Sequence, residues 1–424
     1  MTIILFGTLL GLLGLAVPIA LSLVLASIAG LIYSGFPLLV VMQRMFAAVD
    51  SYSLMAIPFF VICGGLLEKG GVSKRLIAFA NSLVGSFPGG LGVVCFVAIV
   101  LFGTLTGSAA ATVAAVGAIM VPAMIKEGYP ENFSLSTVAS GGWLGIVLPP
   151  SIAMVVLGVA GNVSVSQMFI GGIIPGIILA VGMAIYAIIF GVKNMPAKGT
   201  FSFSETLRTL KDAFWAILMP IIILGGIYGG IFTPTEAAAV ASLYGLIVGI
   251  FIYKELNLKK IISVMKSAVV TSGMVMFAVA AGTVFANVLT RELIPVRASN
   301  LITSIATSPA GFMLLVAILL LVVGMFMDTL AAILILIPIL MPSVLAFGIE
   351  PVYFGVIVII LLGIGQITPP IGLCLFVAAS LRRAAIENVI CKHLFMYIIF
   401  AIATTIILIS FPDIIMFLPR LMQR

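Results

Sequence analysis

The residues with chemistry to offer fall in two stretches. The first carries Thr106, Gly107, Ser108 and Thr112 in GTLTGSAAAT, followed downstream by Leu148, Pro149, Pro150 and Ser151 in GGWLGIVLPPS. The second carries Gly324, Asp328 and Thr329 in GMFMDTL, followed by Gly365, Gln366, Thr368, Pro369 and Pro370 in GIGQITPPIG. Hydroxyls and carbonyls freed by proline are hard oxygen donors, the kind that hold an alkali cation at a helix break inside a membrane. Two such sets imply two cation sites. Landmarks keep a spacing of 220 between the stretches: Gly128 with Gly348, Gly145 with Gly365, Pro149 with Pro369 and Pro150 with Pro370. Interrupted apolar segments at matching places in two halves of a chain point to the binding site of a secondary transporter. Small residues that merely let helices pack closely account for one such stretch, but not for its duplication.

Asp328 lies between MFM and LAAILILIPIL, so its carboxylate falls at membrane depth, where it costs several kcal/mol unless paired or solvated. There it can neutralise a cation, accept a substrate hydrogen bond or carry a proton. Arg291, in ANVLTRELIP, is a candidate contact for an anionic substrate; the adjacent Glu292 and the snorkelling of helix-end arginines argue the other way. Glu236, in GGIFTPTEAAAVA, reads as a helix cap. Trp143 fits pocket lining and core packing equally.

Enzyme readings fail for want of partners. A nucleophile at Ser108 would need a histidine, and His393, the only one in the chain, sits in another segment beside Lys392 and reads as an interfacial residue. Asp328 has no acidic mate at the matched first-half position for an aspartyl dyad. No Walker A motif is present, and Cys63, Cys95, Cys374 and Cys391 are too scattered for a disulfide framework or a zinc site.

The elements that must position these residues are membrane helices. With 63% apolar and 8% charged residues over 424 positions, the chain lacks the polar surface of a soluble globule. Its mean hydropathy is +1.38. An all-α polytopic membrane protein follows, with room for roughly ten crossings. The net charge of +7 is carried mainly by Lys and Arg in loops, which reads as topology and lipid contact, with no nucleic-acid affinity. No Lys or Arg precedes the first apolar run, so it reads as a retained helix. Residues 3–33 fit one long kinked helix or two short crossings.

The first repeat is assigned to residues 1–192. It holds an amphipathic surface segment at 36–53, a crossing at 53–68, an interfacial helix at 72–90 and a re-entrant hairpin at about 93–122. A broken helix at 133–158 and a crossing at 168–192 complete it. A polar linker covers 193–213, and the second repeat, 214–424, runs in the same order. Its crossings at 214–232 and 237–253 precede a surface helix at 254–268 and a crossing at 269–289. Pro309-Ala310-Gly311 answers the corner Pro88-Gly89-Gly90; the second hairpin is placed at about 312–342, the second broken helix at 353–380 and a last helix at 394–418. An odd number of crossings separates Pro18 from its counterpart Pro234, which makes the repeats inverted, while a true crossing at 37–48 would reverse that parity. Basic residues in both halves leave the absolute orientation open.

GTLTGSAAATVAAVGAIMVPAM, SGGWLGIVLPPS, GGIFTPTEAAAVA and GQITPPIG together resemble, over nearly the whole chain, the large membrane subunit of tripartite ATP-independent periplasmic (TRAP) transporters of the DctM/SiaM type. The resemblance implies a sodium-driven importer of small organic acids, C4-dicarboxylates or sialic acid among them, in the bacterial inner membrane. It implies a fold of two inverted repeats like that of the ion-transporter superfamily, its hairpins and discontinuous helices forming an elevator-like transport domain. A periplasmic substrate-binding protein of the DctP/SiaP type would deliver the ligand. A small membrane subunit of the DctQ/SiaQ type would brace the scaffold and is expected as a separate polypeptide, because the chain begins at the large subunit's first helix. Carried over by position, one Na+ site falls on Thr106, Gly107, Ser108, Thr112, Leu148 and Pro149. The other falls on Gly324, Asp328, Thr329, Gly365, Gln366, Thr368 and Pro369, so two or more Na+ ions per cycle are expected. Substrate would lie between them, near Ser108, Ser151 and Asp328. The first tip has no Asn, unlike the SNT tips of the related divalent-anion symporters, so coordination there leans on carbonyls and hydroxyls. The alternatives are a proton-coupled carrier in which Asp328 titrates and a non-transporting scaffold or channel subunit.

Overall fold

Helix is the regular structure throughout the computed structural model, which describes residues 1–87, 89–195, 202–306 and 308–422. Pro88 of the first corner and residues 196–201 of the linker lie outside the described residues. Among those described, 8 helices are long and apolar enough to cross a membrane, or up to 10 if each of two bent pairs is one span.

The two hairpins turn where the sequence removes helical options. The first pairs Gly90–Thr106 with Ala109–Lys126. Gly107 ends the first arm in the left-handed region at φ 60°, a conformation glycine adopts without a steric penalty. Ser108 then opens the second arm as an extended N-cap, its hydroxyl accepting from the Ala111 amide at 3.5 Å. The second hairpin pairs Pro309–Phe326 with Thr329–Ala346, with Asp328 as the cap and its Oδ2 accepting from the Leu330 amide at 3.0 Å.

The broken helices follow the Pro-Pro pairs. In the first, Glu131–Gly142 and Leu144–Val147 run to an extended stretch at 148–151, and Ile152–Gly161 departs at 44°. Neither proline has an amide to donate, so the helical ladder stops there and restarts from the Ser151 cap. In the second, Pro351–Gly365 gives way to Leu373–Ser380. Both Pro-Pro bonds are cis.

The repeats interlock. Ile152–Gly161 of the first packs on Thr329–Ala346 of the second hairpin, and Leu373–Ser380 of the second packs on Ala109–Lys126 and Glu131–Gly142 of the first. At the centre, all of Val352–Gly365 is buried, as expected for a helix apolar on every side. The Trp143 indole is fully buried against this helix, and a Cβ built on Gly363 would lie 2.6 Å from its ring, which assigns Trp143 to the core.

Several elements differ from expectation. Residues 3–33, which the sequence leaves open between one kinked helix and two, form two helices, Thr2–Gly14 and Ile19–Tyr33, parted by left-handed Ala16 and by Pro18, while other elements depart from the reading outright. The surface helix and crossing expected at 254–289 are one helix, Leu258–Arg291, of 34 residues. No proline interrupts it, and lysines at 259, 260 and 266 are long enough to snorkel, so charge alone does not end the helix. Its first-half counterpart does break, Leu39–Val49 meeting Ser53–Lys69 at 65°. Much of the expected linker is helix as well: Ser202 caps Phe203–Tyr228, accepting from the Glu205 amide at 3.3 Å. His393, expected at an interface, is buried against Phe133, Phe190 and Tyr186, with Nδ1 sharing a 2.8 Å hydrogen bond with Tyr186 Oη.

Candidate functional site

The tips of the two hairpins meet at one cavity of about 120 Å³. Gly107 and Ser108 line it from the first tip, Asp328 and Thr329 from the second, and Gln366 from the second break. Ile146 closes one side, and Thr271 and Val275 of the long helix Leu258–Arg291 form the facing wall.

At the first tip the oxygens are packed closely. Thr106 Oγ1 and Thr112 Oγ1 lie 3.0 Å apart, and Thr112 donates to the Ser108 carbonyl at 2.8 Å. The Ile152 amide donates to the Gly107 carbonyl at 3.4 Å, docking the tip on the restart of the broken helix. A Cβ on Gly107 would stand 2.6 Å from the Pro150 carbonyl, so no side chain fits. Ser151 is fully buried behind the cavity and accepts from the Met154 amide at 3.3 Å. Leu148 and Pro149 are buried in the same break.

The second tip is built from longer side chains. Gln366 Nε2 donates to Thr329 Oγ1 at 2.6 Å, while Gln366 Oε1 accepts from Cys374 Sγ at 3.6 Å. This network fixes the amide on the cavity that Asp328 also lines. Thr368 donates to the Ile364 carbonyl at 2.8 Å, next to half-buried Pro369. Gly324 and Gly365 touch through their backbones, since a Cβ on Gly365 would fall 2.5 Å from Gly324 Cα. Gly103 and Gly145 do the same in the first repeat, where a Cβ on Gly103 would fall 2.9 Å from Gly145 Cα.

No lysine or arginine lines the cavity among the described residues. Positive potential comes instead from four helix N-termini. The first turns of Ala109–Lys126, Ile152–Gly161, Thr329–Ala346 and Leu373–Ser380 all contribute lining residues. Each such end carries up to about half a positive charge from its aligned peptide dipoles, with part of the first-turn amides already capped, set here against a single carboxylate. The site therefore offers oxygen donors to cations and amide dipoles to anions within one space.

Arg291 is not part of it. Its guanidinium lies 5.0 Å from the Phe36 ring centroid, and Nε donates to Asn287 Oδ1 at 3.1 Å. Ending a long helix, it has the nearby ring and amide as partners and does not line the cavity between the tips. Glu236 completes a capping box with Thr233, accepting from its amide at 2.8 Å. Thr271 and Val275 were missed because an unbroken helix gives no sign of a site. The small-residue run Thr271-Ser272-Gly273 was the only available signal.

Interrupted helices that converge on a cavity holding a few hydroxyls, an amide and a carboxylate between apolar arms define the class of multi-pass membrane transport proteins. The family model for the DctM component of the tripartite ATP-independent periplasmic transporter matches residues 6–414, and the chain belongs to that family. It is accordingly a multi-pass protein of the bacterial inner membrane. Over 338 residues, 80% of this chain and 79% of the other, it is 44% identical to the C4-dicarboxylate TRAP transporter large permease protein DctM of Pseudomonas aeruginosa. It is 39% identical, over 98% of its length, to the isethionate TRAP transporter permease protein DctMQ of Oleidesulfovibrio alaskensis, of which it spans 66%. The crystal structure of the Alcanivorax borkumensis YdaH transporter shares the fold, with TM-score 0.64 at 13% identity over 88% of this chain and 87% of that one.

Proposed function

We propose that the chain imports a small organic acid, coupled to Na+, with the acid held in the cavity between the hairpin tips. The observation that carries this reading is the cavity's lining: four helix N-termini, hydroxyls and one carboxylate, with no basic side chain among the described residues. An acid group entering such a site is received by amide dipoles and by Ser108, and it is repelled by Asp328 unless a cation stands between. Cation binding and acid binding then favour each other, which is the thermodynamic content of symport. Thr106, Gly107, Ser108, Thr112, Leu148 and Pro149 supply one set of hard oxygens for Na+. Asp328, Thr329, Gln366 and Thr368, with backbone around Gly324, Gly365 and Pro369, supply the other, giving two or more ions per cycle. The cargo is of the kind named for relatives, a C4-dicarboxylate or a sulfonate such as isethionate. Elevator-type movement of hairpins and broken helices against the remaining helices would alternate access. A small membrane subunit and a periplasmic binding protein would complete the assembly.

The test is reconstitution with the small subunit and a set of binding proteins, followed by uptake of labelled C4-dicarboxylates, sialic acid and isethionate. Uptake that requires an inward Na+ gradient supports the reading. Uptake driven by a pH gradient in sodium-free buffer would replace it with proton coupling through Asp328. Asp328→Ala and Ser108→Ala variants that retain full activity would make the tips mere packing.

A further inference from the structure

A second and larger cavity, about 520 Å³, opens at the base of the first hairpin, far from the tips. The arm Gly90–Thr106 has 17 residues, which sets the base about 25 Å from the tip cavity. Lys74 lines it from the helix Val72–Val84 and Lys126 from the end of the second hairpin arm; neither ammonium has an ion-pair or hydrogen-bond partner among the described residues. Buried Tyr129 lines it as well, together with Gly90 and Leu91 of the first turn of Gly90–Thr106, where the Gly90 and Gly92 amides already donate to the Phe87 and Gly89 carbonyls at 2.8 and 3.0 Å. Glu127 also lines the rim and is already engaged in an interaction of its own. The floor is apolar, formed by Ile77, Val94 and Met120. One wall is fixed by backbone contact, because a Cβ on Gly191 would fall 1.9 Å from Gly89 Cα.

We infer that this cavity binds a phosphate-bearing anion through Lys74 and Lys126. Two exposed ammonium groups without a partner among the described residues, with a tyrosine on the same lining, form a recognition set for phosphate. The apolar floor and the position at a helix base suit the head of an acidic phospholipid, while free phosphate presents the same oxygens.

The experiment uses the full chain in lipid nanodiscs. Native mass spectrometry counts retained phosphatidylglycerol against phosphatidylcholine for wild type and for Lys74→Gln/Lys126→Gln. Separately, thermal melting in detergent is followed against inorganic phosphate. Loss of roughly 30-fold in phosphatidylglycerol affinity in the double variant, at the usual contribution of two lysines beside a headgroup, establishes the lipid as the ligand. Stabilisation by inorganic phosphate that the double variant loses assigns the site to the free anion. Lys74→Arg/Lys126→Arg, which keeps both charges, should bind as wild type does and separates loss of charge from misfolding. Equal lipid retention and equal phosphate response in wild type and Gln variants would overturn the inference.

Discussion

The two hairpin tips share a frame and differ in nearly every oxygen. At a spacing of 220, Gly145 answers Gly365 and each proline of one pair answers its mate, whereas Ser108 answers Asp328, Thr112 answers Ala332 and Ser151 answers Ile371. Conversely, Gln366 stands opposite Ile146 and Thr329 opposite Ala109. Even the turn differs: Gly107 is left-handed at φ 60°, while Met327, its mate, is extended at φ −124°. The breaks are architecture, which symmetry can supply twice. The donors are chemistry, and each tip carries its own set: hydroxyls and carbonyls at one, a carboxylate and an amide at the other.

The sharpest way to break this comparison is at the mates Gly107 and Met327. Gly107→Ala adds a Cβ into a 2.6 Å approach at a positive φ, so uptake per inserted protein should fall by roughly 100-fold, in line with a strain of a few kcal/mol. Met327→Ala, with no such constraint, should leave uptake near wild type; equal losses would mean that the turns are not different in kind. The next largest effect belongs to the carboxylate. Asp328→Asn should raise the Na+ concentration for half-maximal uptake by about 30-fold, the scale of a charged interaction, whereas Ser108→Ala should shift it by only about 5-fold. Thr112→Ala removes the buried hydroxyl pair with Thr106, and a loss of about 5-fold in Na+ affinity is expected, with Thr112→Ser restoring most of it. Smallest of all, Arg291→Ala should change the substrate KM by less than about two-fold, since a surface contact of this kind contributes little. A ten-fold rise in KM would return Arg291 to the site.

Breaks were legible in the sequence because Gly and Pro act on the backbone locally, and Ser108, Ser151 and Asp328 mark helix starts by their own hydrogen bonds. Continuity was less legible. Nothing in LKKIISVMKSAVVTSG says whether lysines lie along a membrane surface or snorkel from a helix that carries on. Lining from across the cavity was invisible for the same reason, as Thr271 and Val275 gain their place from a neighbour far away in sequence. For Arg291 the charge type is legible in the sequence but its direction is not, and the structure places it away from the tip cavity. His393 shows the limit in the other direction, since its aromatic surround is assembled from two helices other than its own.

Gly103 against Gly145, and Gly324 against Gly365, leave main chain resting on main chain with nothing between. Surfaces joined this way have no flexible side groups to roll over one another, so a hairpin and the kinked partner it touches are welded for mechanical purposes. Whatever travel carries cargo from one face of the bilayer to the other must spare these welds and find its slack in the segments that tether them.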